Sequence, residues 1–84
     1  MNTILWSRKA LKQAKKIDPK ARKQVVEKVK LLGDFPDCSN VKGLTNHQYD
    51  FRLRVGRYRV FFDYDGEVRI VSIEEVKIRD ENTY

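Results

Sequence analysis

Residues 49–73, YDFRLRVGRYRVFFDYDGEVRIVSI, decide the fold. Tyr49, Phe51, Leu53 and Val55 alternate with Asp50, Arg52 and Arg54, the period of a half-buried strand. Asp65-Gly66 stands between apolar runs and predicts a two-residue hairpin turn, because type I′ geometry needs positive φ at both central positions. Gly56-Arg57 is a weaker form of the same signal. Two such turns fix a register. Val55 then faces Tyr58, Leu53 faces Val60 and Phe51 faces Phe62; in the second hairpin Phe62 faces Arg69, Val60 faces Val71 and Tyr58 faces Ile73. Opposed residues share a face of the sheet. One side therefore collects Phe51, Leu53, Val60, Phe62, Val71 and Ile73, with Arg69 an exception that must reach the rim. The other collects Arg52, Arg54, Arg59, Phe61, Ile70 and Ser72. A slip of one residue would scatter both sets, so the separation supports a three-stranded antiparallel meander.

Upstream of the meander the period changes. Thr3-Ile4-Leu5-Trp6 leans towards a strand, and Ser7 is placed to cap a helix. Leu11, Ala14 and Ile17 recur among lysines at helical spacing. Asp18-Pro19 marks a second start, with Asp at the N-cap and Pro at the first helical position. Ala21, Val25, Val29 and Leu32 continue an apolar stripe up to Gly33, which stands where a helix-terminating glycine belongs. The stretch 34–48, with Pro36 and Gly43, reads as loop, and 74–84 as a polar tail that begins by prolonging the last strand. The predicted order is β-α-α-β-β-β: an α+β fold of two layers, its helical hairpin covering the apolar face of a small antiparallel sheet and leaving the arginine face open.

An 84-residue chain holds one domain, spanning 1–84, without room for a second core. Its net charge of +6 points to an acidic partner: nucleic acid, an anionic membrane surface or an acidic protein. Cys38 is the single cysteine, which excludes an intrachain disulfide and makes a reducing compartment the default. No apolar run approaches the roughly 18 residues that span a bilayer, and MNTILWSRK lacks the pattern of a signal peptide. The expected location is cytoplasmic, with no membrane partner. One histidine and one cysteine do not make a zinc site, and no phosphate-binding glycine loop is present, so any chemistry is expected to need no metal or cofactor.

Arg52, Arg54 and Arg59 on one face suit phosphate, since a guanidinium offers a fixed fork of donors and the nearby Phe61 offers a ring to a base. The plainer account is a solvated outer face, ordinary in antiparallel sheets. Only Asp50 and Asp63 share that face as carboxylates, which leaves the arginines in excess. Lys77, Arg79 and Tyr84 in the tail suit charge stabilisation and proton exchange, or simply fraying. His47, Glu74 and Glu75 are expected in solvent, Cys38 is expected to be inert, and Lys12, Lys15, Lys16, Lys20 and Lys23 form a positive helix surface.

Taken with the helical hairpin and the tail VKIRDENTY, residues 40–73 resemble the RelE/ParE toxin superfamily of type II toxin–antitoxin systems. The most specific part is YDFRLRVGRYRVFF, and the resemblance covers essentially the whole chain. Within that superfamily RelE-type members enter the ribosomal A site and cut mRNA, whereas ParE-type members poison DNA gyrase. The open arginine face and the Arg79…Tyr84 pair resemble the RelE pattern. The resemblance implies a metal-independent endoribonuclease in which Arg52, Arg54, Arg59, Arg79 and Tyr84 are catalytic and Lys42, Arg57, Phe61 and Lys77 bind RNA. It implies a cognate antitoxin, the ribosome and mRNA as partners. The reaction is attack of an RNA 2′-OH on the adjacent phosphate with loss of the 5′-oxygen. Asp50 stands where some relatives carry lysine, the tail lacks the histidine others use, and the arginine-to-tyrosine spacing is one residue longer than usual. Lys77 or Asp50 remains as proton acceptor. A gyrase poison and a non-catalytic, antitoxin-binding relative are the alternatives.

Overall fold

The computed structural model describes residues 1–78. They form β1 (Thr3–Trp6), α1 (Arg8–Lys15), α2 (Pro19–Lys30), a 3-10 turn (Leu31–Asp34), β2 (Val41–Gly43), β3 (Phe51–Val55), β4 (Tyr58–Asp65) and β5 (Ile70–Ile78). The strand order is β1-β5-β4-β3-β2, with β1 parallel to β5 and the remaining pairs antiparallel. The expected α+β order holds, with one addition: β2 lies inside the stretch expected to be loop, its residues Val41 and Gly43 opposite Leu53 and Phe51.

Both helix starts form as their sequences dictate. The Ser7 hydroxyl accepts from the Ala10 amide at 3.0 Å, and the Asp18 carboxylate accepts from the Ala21 amide at 3.3 Å ahead of Pro19. The buried stripe of α1 is rotated from the expected one. Ala10 and Ala14 face the sheet, where small side chains permit close approach, and Leu11 is left exposed. In α2, Val25 and Val29 are buried and Leu32 follows in the core, as expected. Gly33 does not end α2 in a left-handed conformation: the chain tightens into the 3-10 turn, and Gly33 has no positive φ. Its carbonyl accepts from the Asn2 amide at 2.8 Å. Buried Asn2 also donates to the carbonyls of Leu32 (3.1 Å) and Phe35 (2.9 Å) and accepts from the Tyr64 hydroxyl (3.2 Å), tying the chain start to the central strand β4.

The core joins Val25, Val29 and Leu32 to Leu53, Val60, Phe62, Val71 and Ile73. Burying side chains of this size stabilises by about 1.5–3 kcal/mol each. The first hairpin has the expected register, with Phe51 opposite Phe62 and Val55 opposite Tyr58, and Gly56 supplies the positive φ of +55° that its turn requires. The second hairpin does not. Asp65 Oδ1 accepts from the amides of Glu67 (3.0 Å) and Val68 (3.4 Å), which closes a longer turn over residues 66–69, and Arg69 rather than Gly66 takes the positive φ. Phe62 consequently faces Ile73, not Arg69. The displacement is even, so Val71 and Ile73 keep their expected face and Arg69 leaves the apolar side altogether.

A bulge then changes the phase of β5. Phe62 faces Ile73 and Phe61 faces Glu75, leaving Glu74 as the extra residue. Beyond it Val76 turns into the core, and Glu75 and Lys77 turn onto the open face. Groups of α1 satisfy the disrupted ladder: the Ser7 hydroxyl donates to the Glu74 carbonyl at 3.0 Å, and Gln13 Oε1 accepts from the Val76 amide at 2.7 Å. The helical hairpin thus covers one face and holds the bulge that shapes the other.

Candidate nucleic-acid interface

The open face is ordered in cross-strand rows. Arg54, Arg59 and Lys77 stand directly opposite one another across β3, β4 and β5. The next row runs Lys42, Arg52, Phe61 and Glu75 across β2 to β5. Neighbouring strands lie about 4.8 Å apart, so the first row holds like charges side by side. Two unit charges at that separation repel by about 1 kcal/mol even in water. An antiparallel pair normally places opposite charges there. Among the described residues the ion pairs are Lys9–Glu75 at 3.1 Å and Lys77–Glu75 at 3.8 Å, and the arginines have none. Asp63 is occupied otherwise, its Oδ1 accepting from the Asp50 amide at 2.8 Å. Arg52, Arg54, Gly56, Arg57, Tyr58 and Arg59 line a small depression at the first hairpin. Arg52 Nε is shielded from solvent and has no hydrogen-bond partner among the described residues.

Beside the arginines lies a second cluster. Glu75, expected in solvent, is buried because the bulge folds it back over the sheet beneath Lys9 and Tyr49. Burial pushes its carboxyl upward, but the Lys9 hydrogen bond and the charges of Lys77 and Lys9 outweigh this and hold it below the usual glutamate range. Glu75 in turn raises the Lys9 ammonium. Tyr49 departs from the expected alternation: β3 begins at Phe51, and the preceding bend carries Tyr49 to the open face, where its ring lies 5.7 Å from Phe61. Burial, then the Glu75 charge, pushes its hydroxyl upward.

His47 lies in solvent as expected, but it is held in place. Its Nδ1 accepts from the Tyr49 amide at 3.1 Å, and the imidazole stacks on Phe61 with centroids 5.1 Å apart and planes at 13°. Phe61 is covered by this stack rather than open to solvent. Cys38 is half-buried, with a thiol raised by burial and by Asp34 and Asp37, which opposes thiolate chemistry. Arg52, Arg54, Arg59, Lys42, Arg57, Phe61 and Lys77 therefore all fall on or beside one face. Arg79 and Tyr84 lie outside the described residues. The sequence reading missed Lys9, Tyr49, His47 and Glu75 as parts of this surface. One signal was present: apolar positions shift from odd (Val71, Ile73) to even (Val76, Ile78), the mark of a bulge.

A model of the ParE toxin of type II toxin–antitoxin systems, of the parDE kind, matches residues 4–83. The chain belongs to the ParE toxin family. Family membership makes it a toxin of a type II toxin–antitoxin system in the RelE/ParE superfamily. None of the curated proteins matches it. Among solved structures, the Mycobacterium tuberculosis RelBE2 toxin–antitoxin complex contains a chain 27% identical, matched over 93% of this chain and 98% of its own with TM-score 0.80. Isolated Escherichia coli RelE shares the fold at TM-score 0.80 and 17% identity, over 96% of this chain and 87% of that one. A chain of the Pyrococcus horikoshii RelE–RelB complex does so at TM-score 0.79 and 19% identity, over 95% and 97%. No helix among the described residues of this ParE-family protein is long and apolar enough to cross a membrane.

Proposed function

We propose that this toxin arrests growth by cutting mRNA on the ribosome, without a metal or cofactor. The observation that carries the reading is the cationic row Arg54–Arg59–Lys77 beside Arg52, in which the arginines have no carboxylate partner among the described residues. Such a row is self-repelling when empty and relieved by a polyanion, as a phosphate-binding surface should be. Attack of a 2′-OH on the adjacent phosphate places extra negative charge on the phosphoryl oxygens. Guanidinium groups fixed on two paired strands meet that charge without reorganising. An arginine stays protonated and cannot act as base. The proton acceptor is the Asp50 carboxylate, and the departing 5′-oxygen takes its proton from Tyr84, with Arg79 as a further charge partner. A ribosome that holds mRNA in position supplies much of the remaining barrier reduction, because positioning alone contributes about 7–11 kcal/mol in well-oriented systems.

The relatives solved as RelE–RelB complexes support a cognate antitoxin for this chain too. An acidic or amphipathic segment laid against a +6 protein neutralises its surface and stabilises the small fold by mass action. A second reading, poisoning of DNA gyrase, is favoured by the family model itself, whose description is that of a ParE toxin. Pulse-labelling after induction separates the two. Loss of methionine incorporation before thymidine incorporation supports the ribonuclease; the reverse order supports the gyrase poison.

A further inference from the structure

We infer that His47 is the platform for one unpaired nucleobase, so that this face grips single-stranded RNA by a stacked base as well as by its phosphates. The inference rests on the RNA-directed reading above and adds to it a residue that reading does not use. Three observations carry it. The imidazole is locked by the Tyr49 amide on Nδ1, which places the proton of the neutral ring on Nε2. One face of the ring is backed by Phe61 at a 13° interplanar angle, and Tyr49 packs tilted against both, 5.7 Å from Phe61 and 5.9 Å from His47, giving a compact cluster of three rings. His47 nonetheless remains the exposed member of that cluster, whereas Phe61 and Tyr49 are buried.

A ring fixed in advance loses little conformational freedom when a base lies on it, and stacking accepts any base because each has a π-face. The surroundings select nucleic acid over other flat ligands. Arg52 is the direct cross-strand neighbour of Phe61, and Lys42 and Arg54 flank Arg52 along and across β3. Phe61 is itself covered, so His47 is the ring available to ligand and Phe61 its support.

The test is binding of the full-length protein to a 2′-O-methylated RNA octamer, which cannot be cleaved by 2′-OH attack, carrying 2-aminopurine at each position in turn. Wild type should quench 2-aminopurine strongly at one position. His47→Ala should lose that quenching and bind about 5- to 100-fold more weakly, the range of one lost base stack. His47→Phe, which keeps a ring over Phe61, should restore both. Arg59→Ala should weaken binding while leaving the quenched position unchanged. Thermal melting of each variant separates loss of fold from loss of contact. Unaltered affinity and quenching in a folded His47→Ala, with Arg59→Ala weakened, would overturn the platform and leave the RNA reading standing. No binding of the octamer by wild type would overturn the platform, whereas the RNA reading falls only if ribosome-programmed message is left uncut.

Discussion

At the scale of single residues the open face trades stability for readiness to bind. Arg59 has Arg54 on one side and Lys77 on the other, an arrangement that costs the empty fold energy and becomes useful only when phosphate arrives. Arg59→Ala should therefore lower mRNA cleavage by at least about 100-fold, the usual loss on removing a preorganised donor. Its melting temperature should stay within about 4 °C of wild type, read by calorimetry, because relief of repulsion offsets lost packing. Glu75 behaves in the opposite way, as a structural carboxylate. Its folded value lies below the ordinary one, so its contribution is present above the ordinary glutamate range and disappears as pH falls through the folded value. Lys9 is raised, so its contribution is present at neutral pH and is lost only as pH rises through the folded value, above the ordinary lysine range. Urea midpoints for Glu75→Gln should accordingly be lower than wild type near neutrality, and the two should converge in acid. Parallel curves would remove Glu75 as the source of the acid limb.

At the scale of elements, β5 and its bulge determine what the face displays. An unbroken β5 would send Glu75 and Lys77 towards the core and Val76 outward; the extra Glu74 reverses all three. The Val76 amide then depends on Gln13, which is on a helix of the opposite layer. Gln13→Ala should orphan that buried donor and cost about 1–3 kcal/mol. Chemical denaturation measures this directly, and a change under about 0.5 kcal/mol, ordinary for a surface substitution, would show that the bulge holds without Gln13. These elements also show how far sequence reaches. The helix caps at Ser7 and Asp18, the Gly56 turn and the first hairpin register were legible because each depends on local chemistry. The second turn was not, because Asp65 has two uses: it suits a tight turn, but its side chain also closes a longer one. An even displacement hid the difference in the list of core residues. β2 was not legible, since three residues against an existing strand carry too little pattern. The arginines were found by register, whereas His47, Tyr49 and Lys9 reach the face through a bend and a neighbouring helix, which alternation cannot report.

At the scale of the whole molecule, one layer builds and the other binds. The helices bury Val25, Val29 and Leu32 against the apolar face, so the cationic face need contribute little to folding and is left free for a polyanion. Binding of single-stranded RNA should then weaken with salt in proportion to the phosphates engaged. With Arg52, Arg54, Arg59 and Lys77 all in contact, the slope of log K against log salt should be about −2.8. Each single alanine substitution should reduce it by about 0.7. A slope near zero would mean that the row is a solvated surface. On the function proposed above, this face acts on mRNA within the ribosome. Primer extension on the message in a cell-free translation reaction, with and without ribosomes, tests it most directly. The predicted result is discrete cuts that require ribosomes and fall at least about 100-fold with Arg59→Ala. Intact message with translation unimpaired would contradict it.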